Sequence, residues 1–124
     1  MKDKRPVNLD IGTIHLPLAA LTSITHRISG VILFAGIAIL LWLFQRSLET
    51  EASFNEVRAF FESPLLKFIV WGALSALCYH MVAGVKHLLL DAGIGETREG
   101  GPLGARIVIA VSAVLIIMMG AWIW

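Results

Sequence analysis

Residues 23–44 read SITHRISGVILFAGIAILLWLF, an apolar run whose mouth carries Ser23, His26 and Arg27. Residues 28–44 number 17 and include no charge and no amide. As a helix they rise about 26 Å, close to the hydrocarbon thickness of a bilayer before the flanks are counted. Residues 68–85 and 107–124 form two more runs of 18 residues each. Together the three runs lift the apolar fraction to 57%, against 15% charged, and the mean hydropathy to +0.80, outside the soluble globular range. In hydrocarbon each backbone N–H and C=O must be satisfied within its own segment, and the alternation of barrel strands is missing, so helices are the solution. The chain is read as an all-α membrane protein with three transmembrane helices in a single domain over residues 1–124.

The remaining residues narrow this further. Residues 1–10, MKDKRPVNLD, are too polar for the apolar part of a secretory signal and lack the Arg-rich, Ser-rich character of an organellar presequence. The single cysteine, Cys78, lies inside the second run, where it can build neither a disulfide framework nor a thiolate cluster, and it reads as a small buried residue. The net charge of +1 excludes little, and no nucleic-acid partner is expected. Its distribution says more. Lys2, Lys4, Arg5, Arg27, Lys86, Arg98 and Arg106 fall on one side of the spans, seven cations against three on the other, Arg46, Arg58 and Lys67. The positive-inside rule then places the N-terminus in the cytoplasm and the C-terminus outside.

Pro17 suits a first helical turn, so the helices are expected over about 18–45, 65–91 and 103–124. Between the first two, Phe54, Val57, Phe60 and Phe61 recur at helical spacing and predict a short amphipathic helix on the outer surface. The Gly-rich stretch DAGIGETREGGPLG, residues 91–104, reads as a loop. Trp42, Trp122 and Trp124 fit an aromatic belt at the outer interface.

Ionisable side chains inside such spans cost about 2.5 to 3.5 kcal/mol each and default to a functional reading. Ser23, His26 and Arg27 fall within one turn of the first helix, on one face. In the second span Gly72, Ala76, His80 and Gly84 follow at steps of four, a groove of small residues holding one imidazole. Aligning Arg27 and Lys86 as cytoplasmic edges puts His80 about 9 Å inside and Ser23, His26 and Arg27 at the edge itself. His80 is then either a core histidine bonded to a backbone carbonyl or an axial ligand of a haem, with Ala76 and Gly84 leaving room for the macrocycle. His87 cannot share an iron with His80, because seven residues along one helix separate them by about 10.5 Å. A second ligand would come from His26 or from a partner. His87 with Asp91 reads as a surface pair or a propionate contact. Arg27 either snorkels beside a back-bonded Ser23, or the two aim a guanidinium and a hydroxyl at one quinone carbonyl, with His26 relaying protons. His15, Thr22, Thr25 and Ser29 read as structural, and Tyr79 is left open.

RPVNLD at 5–10, SITHRISG at 23–30 and HMVAGVKHLLLDAG at 80–93 resemble the succinate dehydrogenase cytochrome b membrane-anchor family, the larger of two anchor subunits. The resemblance covers nearly the whole chain. It implies three helices forming part of a heterodimeric helix bundle in a bacterial inner membrane, with haem b ligated by His80 and by a residue of the smaller anchor subunit. It also implies ubiquinone at Ser23 and Arg27, haem propionates near His26 and Arg27, and iron–sulfur and flavoprotein subunits as partners. Lys86 and Leu90 depart from the family's usual pattern, which has Arg and an aromatic residue or Met there; lysine lacks the bidentate fork of arginine.

The expected function is that of a haem b and ubiquinone-binding anchor of succinate:quinone oxidoreductase (complex II) in the tricarboxylic acid cycle. Such a complex could assemble as a trimer of heterotetramers. The alternatives are the anchor of a quinol:fumarate reductase, or a small haem-free transport or proton-pathway subunit using His80, His87 and Asp91. A broken helix or inverted repeat, expected of a transporter, is not visible.

Overall fold

A computed structural model describes residues 7–124, so Lys2, Lys4 and Arg5 lie outside the described residues. Four helices follow in order: α1 (Leu18–Glu49), α2 (Glu51–Phe60), α3 (Pro64–Asp91) and α4 (Gly100–Ile123). Among the described residues there is no strand. Three of the helices, α1, α3 and α4, are long and apolar enough to cross a membrane.

α1 begins where extended Pro17, which has no N–H to satisfy, offers its carbonyl to the amides of Ala20 and Leu21 at 2.9 and 3.1 Å. Its 32 residues rise about 48 Å, well beyond a hydrocarbon core of about 30 Å. The surplus lies at the far end, where residues 46–49 continue the helix four residues past the expected boundary at 45. There Arg46 donates to Glu49 at 2.8 Å and to Glu56 of α2 at 2.9 Å, so a polar terminal turn is held by ion pairs.

α2 starts with a reciprocal cap: the Ser53 amide donates to Thr50 Oγ1 at 3.0 Å, and the Thr50 amide donates to Ser53 Oγ at 2.9 Å. Its Val57 turns inward to join Leu43 of α1 and Val70 of α3 in an apolar cluster, with Leu40, Phe61 and Leu66 packed around it. Phe54 and Phe60 stay exposed, and Phe60 stacks with Trp42 at 6.5 Å.

Pro64 occupies the first turn of α3, where its missing N–H costs nothing. After Asp91 the chain reverses through Gly93 and Gly95, whose φ angles of 77° and 84° suit glycine. α4 begins at Gly100, three residues before the expected start, because Pro102 still lies in its first turn.

α3 is central and packs on both α1 and α4. Most of the buried residues on the three long helices are small or polar, Thr22, Ser29 and Gly36 of α1, Ala73, Ala76 and Ala83 of α3, Ala105 and Ser112 of α4, with Leu33, Leu43, Val70 and Val108 as the larger ones. Val31, Phe34, Leu65, Ile117 and Trp122 point outward. This inversion of a soluble core follows from the solvent, since lipid removes the hydrophobic drive between helices and close backbone approach takes over. The closest approach is at Gly36, where a Cβ would stand 2.9 Å from that of Ala73.

Candidate functional site

The register of α1 against α3 places the polar residues. Lys86 Nζ donates to Thr22 Oγ1 at 3.1 Å, and Gly36 meets Ala73, so the two helices run antiparallel with Thr22 level with Lys86. Sequence reasoning aligned Lys86 with Arg27 instead. The shift arises because a lysine reaches along its stem: its methylenes lie beside Gly104 of α4 while the ammonium turns back to α1. His26 therefore comes within about one helical turn of the level of His80, against about two turns when Arg27 is matched to Lys86.

The rings of His26 and His80 stack, with centroids 4.1 Å apart and planes 20° from parallel, and His87 approaches His26 at 5.1 Å. Three imidazoles from two helices thus form one cluster. Its small neighbours make room for it: a Cβ on Gly30 would stand 3.1 Å from His80 Cε1, and one on Gly84 would stand 3.6 Å from His26 Nε2. Gly72, two turns from His80, faces open space. So the row of small residues divides its work, with Gly84 accommodating α1.

His80 Nδ1 lies 3.0 Å from Ser29 Oγ and 3.2 Å from the carbonyl oxygen of His26. The Ser29 hydroxyl donates to that same carbonyl at 2.6 Å. His80 Nε2 has no hydrogen bond among the described residues and is not among the buried unpartnered atoms. His26 Nε2, in contrast, is buried without a partner. Ser75 Oγ and Ser112 Oγ share that state among the described residues, but His26 Nε2 is the one that lies in the imidazole cluster.

One turn toward the N-terminus of α1, the hydroxyls of Thr25 and Tyr79 are hydrogen-bonded, and Tyr79 also reaches the carbonyl of Thr22 at 3.2 Å. Arg27 points away from the cluster and is exposed, Ser23 is half-buried, and neither has a hydrogen bond among the described residues. The structure therefore brings His26 and His80 together and sets Ser23 and Arg27 on an adjoining, outward side of α1. His87 turns to His26; among the described residues it makes no ion pair with Asp91, which is exposed. No three His, Cys, Asp or Glu side chains among the described residues group to hold a metal by themselves.

Sequence reasoning left Thr22, Thr25, Ser29 and Tyr79 without a site. A signal was present: Thr22 and Ser29 are seven residues apart and in line with Gly36 and Leu43, the stripe α1 buries.

A family model described as "Succinate dehydrogenase/Fumarate reductase transmembrane subunit" matches residues 1–119. The chain belongs to this family. It is 38% identical over 125 residues to the succinate dehydrogenase cytochrome b556 subunit of Coxiella burnetii, covering all of both chains. Identity to the cytochrome b556 subunit of Paracoccus denitrificans is 35% over 117 residues, 94% of this chain and 90% of that one. With the cytochrome b560 subunit of Marchantia polymorpha it is 37% over 101 residues, 75% and 72% of the two chains. The family match takes in α1, α3 and most of α4, and with them all three imidazoles of the cluster. Membership removes the ground for a free-standing transport subunit.

Proposed function

We propose that this chain is the haem b and ubiquinone-binding anchor of a succinate:quinone oxidoreductase. It would join a smaller anchor subunit in the membrane and hold iron–sulfur and flavoprotein subunits on the cytoplasmic face. One observation carries the cofactor reading: His80 has its Nδ1 engaged inside the helix pair and its Nε2 left without a hydrogen bond. That is the condition an axial ligand needs. When bound, a haem held by His80 would supply a one-electron centre.

The residues present fit such a group at one coordination position. His26 is stacked on the His80 ring, so it is read as a neighbour of the group rather than a second holder of it. The smaller anchor subunit would supply the other ligand. The orphaned His26 Nε2 suits a propionate or a proton-carrying water. His87 and Asp91 keep a lesser role at the same rim.

Ser23 and Arg27 are proposed to hold the quinone. A hydroxyl and a permanent cation on one side of a helix polarise a carbonyl oxygen and favour its reduction. The side chain of Arg27 is exposed and has no hydrogen bond or ion pair among the described residues, which suits that role. Electrons from succinate would reach that quinone by way of the iron–sulfur subunit. The three spans and the bacterial relatives support a multi-pass protein of a bacterial inner membrane, and the cation count favours an N-terminus inside. The reverse reaction, quinol:fumarate reduction, shares the architecture and the family description, but the Coxiella burnetii and Paracoccus denitrificans relatives carry the succinate dehydrogenase name.

The test uses the assembled complex with Ser23→Ala or Arg27→Leu. Quinone reductase activity should fall roughly ten- to a hundredfold, the cost of a hydrogen bond to a charged group, while succinate oxidation by an artificial acceptor is kept. Equal loss of both activities would contradict the assignment.

A further inference from the structure

We infer that Ser29 is a positioning residue for the haem iron, setting the protonation and orientation of His80. The inference rests on His80 being the axial ligand. The carbonyl of His26 can only accept a hydrogen bond, and it stands 3.2 Å from His80 Nδ1. The proton of the neutral ring is therefore on Nδ1, and the lone pair is on Nε2. Ser29 completes the arrangement. Its hydroxyl hydrogen is committed to the same carbonyl at 2.6 Å, which turns an oxygen lone pair toward Nδ1 at 3.0 Å. So the Nδ1–H is shared between two acceptors, both from one turn of α1.

This contact has two consequences for a ligating imidazole. Hydrogen bonding from Nδ1 raises the basicity of Nε2, which strengthens its donation to iron and favours the ferric state. It also fixes the ring about its χ angles, together with the Gly30 backbone on one edge and the stacked His26 ring on one face. Ser29 is 6% exposed and occupies the stripe that α1 buries against α3. Its hydroxyl lies against His80 Nδ1 and the His26 carbonyl, so it would act on the iron by way of His80.

The measurement is made on the intact complex: haem midpoint potential and the low-spin ferric EPR g values in wild type, Ser29→Ala, Ser29→Thr and Ser75→Ala. Ser75 is the control, a hydroxyl on α3 whose oxygen is also buried but has no partner. Ser29→Ala should raise the midpoint and shift the largest g value, or lose haem if the ring swings free. Ser29→Thr, which keeps the hydroxyl, should stay close to wild type, as should Ser75→Ala. Wild-type potential and g values in Ser29→Ala would overturn the inference alone, and so would equal changes in the Ala and Thr variants, which would reduce Ser29 to packing. A wild-type complex without a haem signal would instead overturn the ligand reading on which it rests.

Discussion

The two ends of the α1–α3 pair are joined by different means. Toward α2, the helices meet through Gly36 on Ala73 and through the Leu43, Val57 and Val70 cluster, with the ion pairs of Arg46 and the cap of α2 at the exposed end. Toward the Gly-rich turn, the same helices meet through hydroxyls, a lysine and stacked imidazoles, and one buried nitrogen stays unpartnered. The first end leaves no buried nitrogen unpartnered among the described residues. At the second end, polar groups cost several times more in lipid than in water, and they persist where they have a task. One helix pair thus separates the work of holding the fold from the work of holding a ligand.

Substitutions can break that separation. The largest effect is expected from Gly36→Leu, which drives a side chain into Ala73 where even a Cβ would stand at 2.9 Å. Overpacking of this kind costs about 1–3 kcal/mol or more. The solubilised complex should melt earlier, yet the fraction that remains assembled should keep a wild-type haem spectrum. A changed spectrum in that fraction would show that the two ends are coupled. Thr50→Ala removes half of the cap of α2 and should cost about 1 kcal/mol, read as a smaller fall in melting temperature with cofactor content unaltered. Arg46→Ala deletes two ion pairs whose side chains are 39% or more exposed, so the effect should stay within about 1 kcal/mol and shrink further in high salt. A larger effect than that of Thr50→Ala would mean that α2 is held by charge rather than by Val57.

What was legible in the sequence divides along the same line. The three spans, the Pro17 start and the amphipathic spacing of α2 are local properties, set by length, hydropathy and backbone preference within one segment. The surplus turn of α1 at 46–49 escaped because its stability comes from Glu56 on another helix. His80 stood out by being ionisable inside a span. The role of Ser29 did not, because a hydroxyl is ordinary in such a helix and its partner depends on the register of α1 against α3. That register was judged from Arg27 and Lys86 as matched edges, and flexible cations mark a membrane edge only to within about a helical turn. The departure from the family pattern at Lys86 also gains a physical use, a bond to Thr22 that the length of a lysine permits.

The central claim, that His80 holds a haem, is tested most directly by a dithionite-reduced minus air-oxidised spectrum of membranes carrying the complete complex, wild type against His80→Ala. The account predicts a b-type α-band near roughly 555 to 560 nm in wild type that is lost or strongly reduced in the variant. The same band, at equal haem content, in His80→Ala would contradict it.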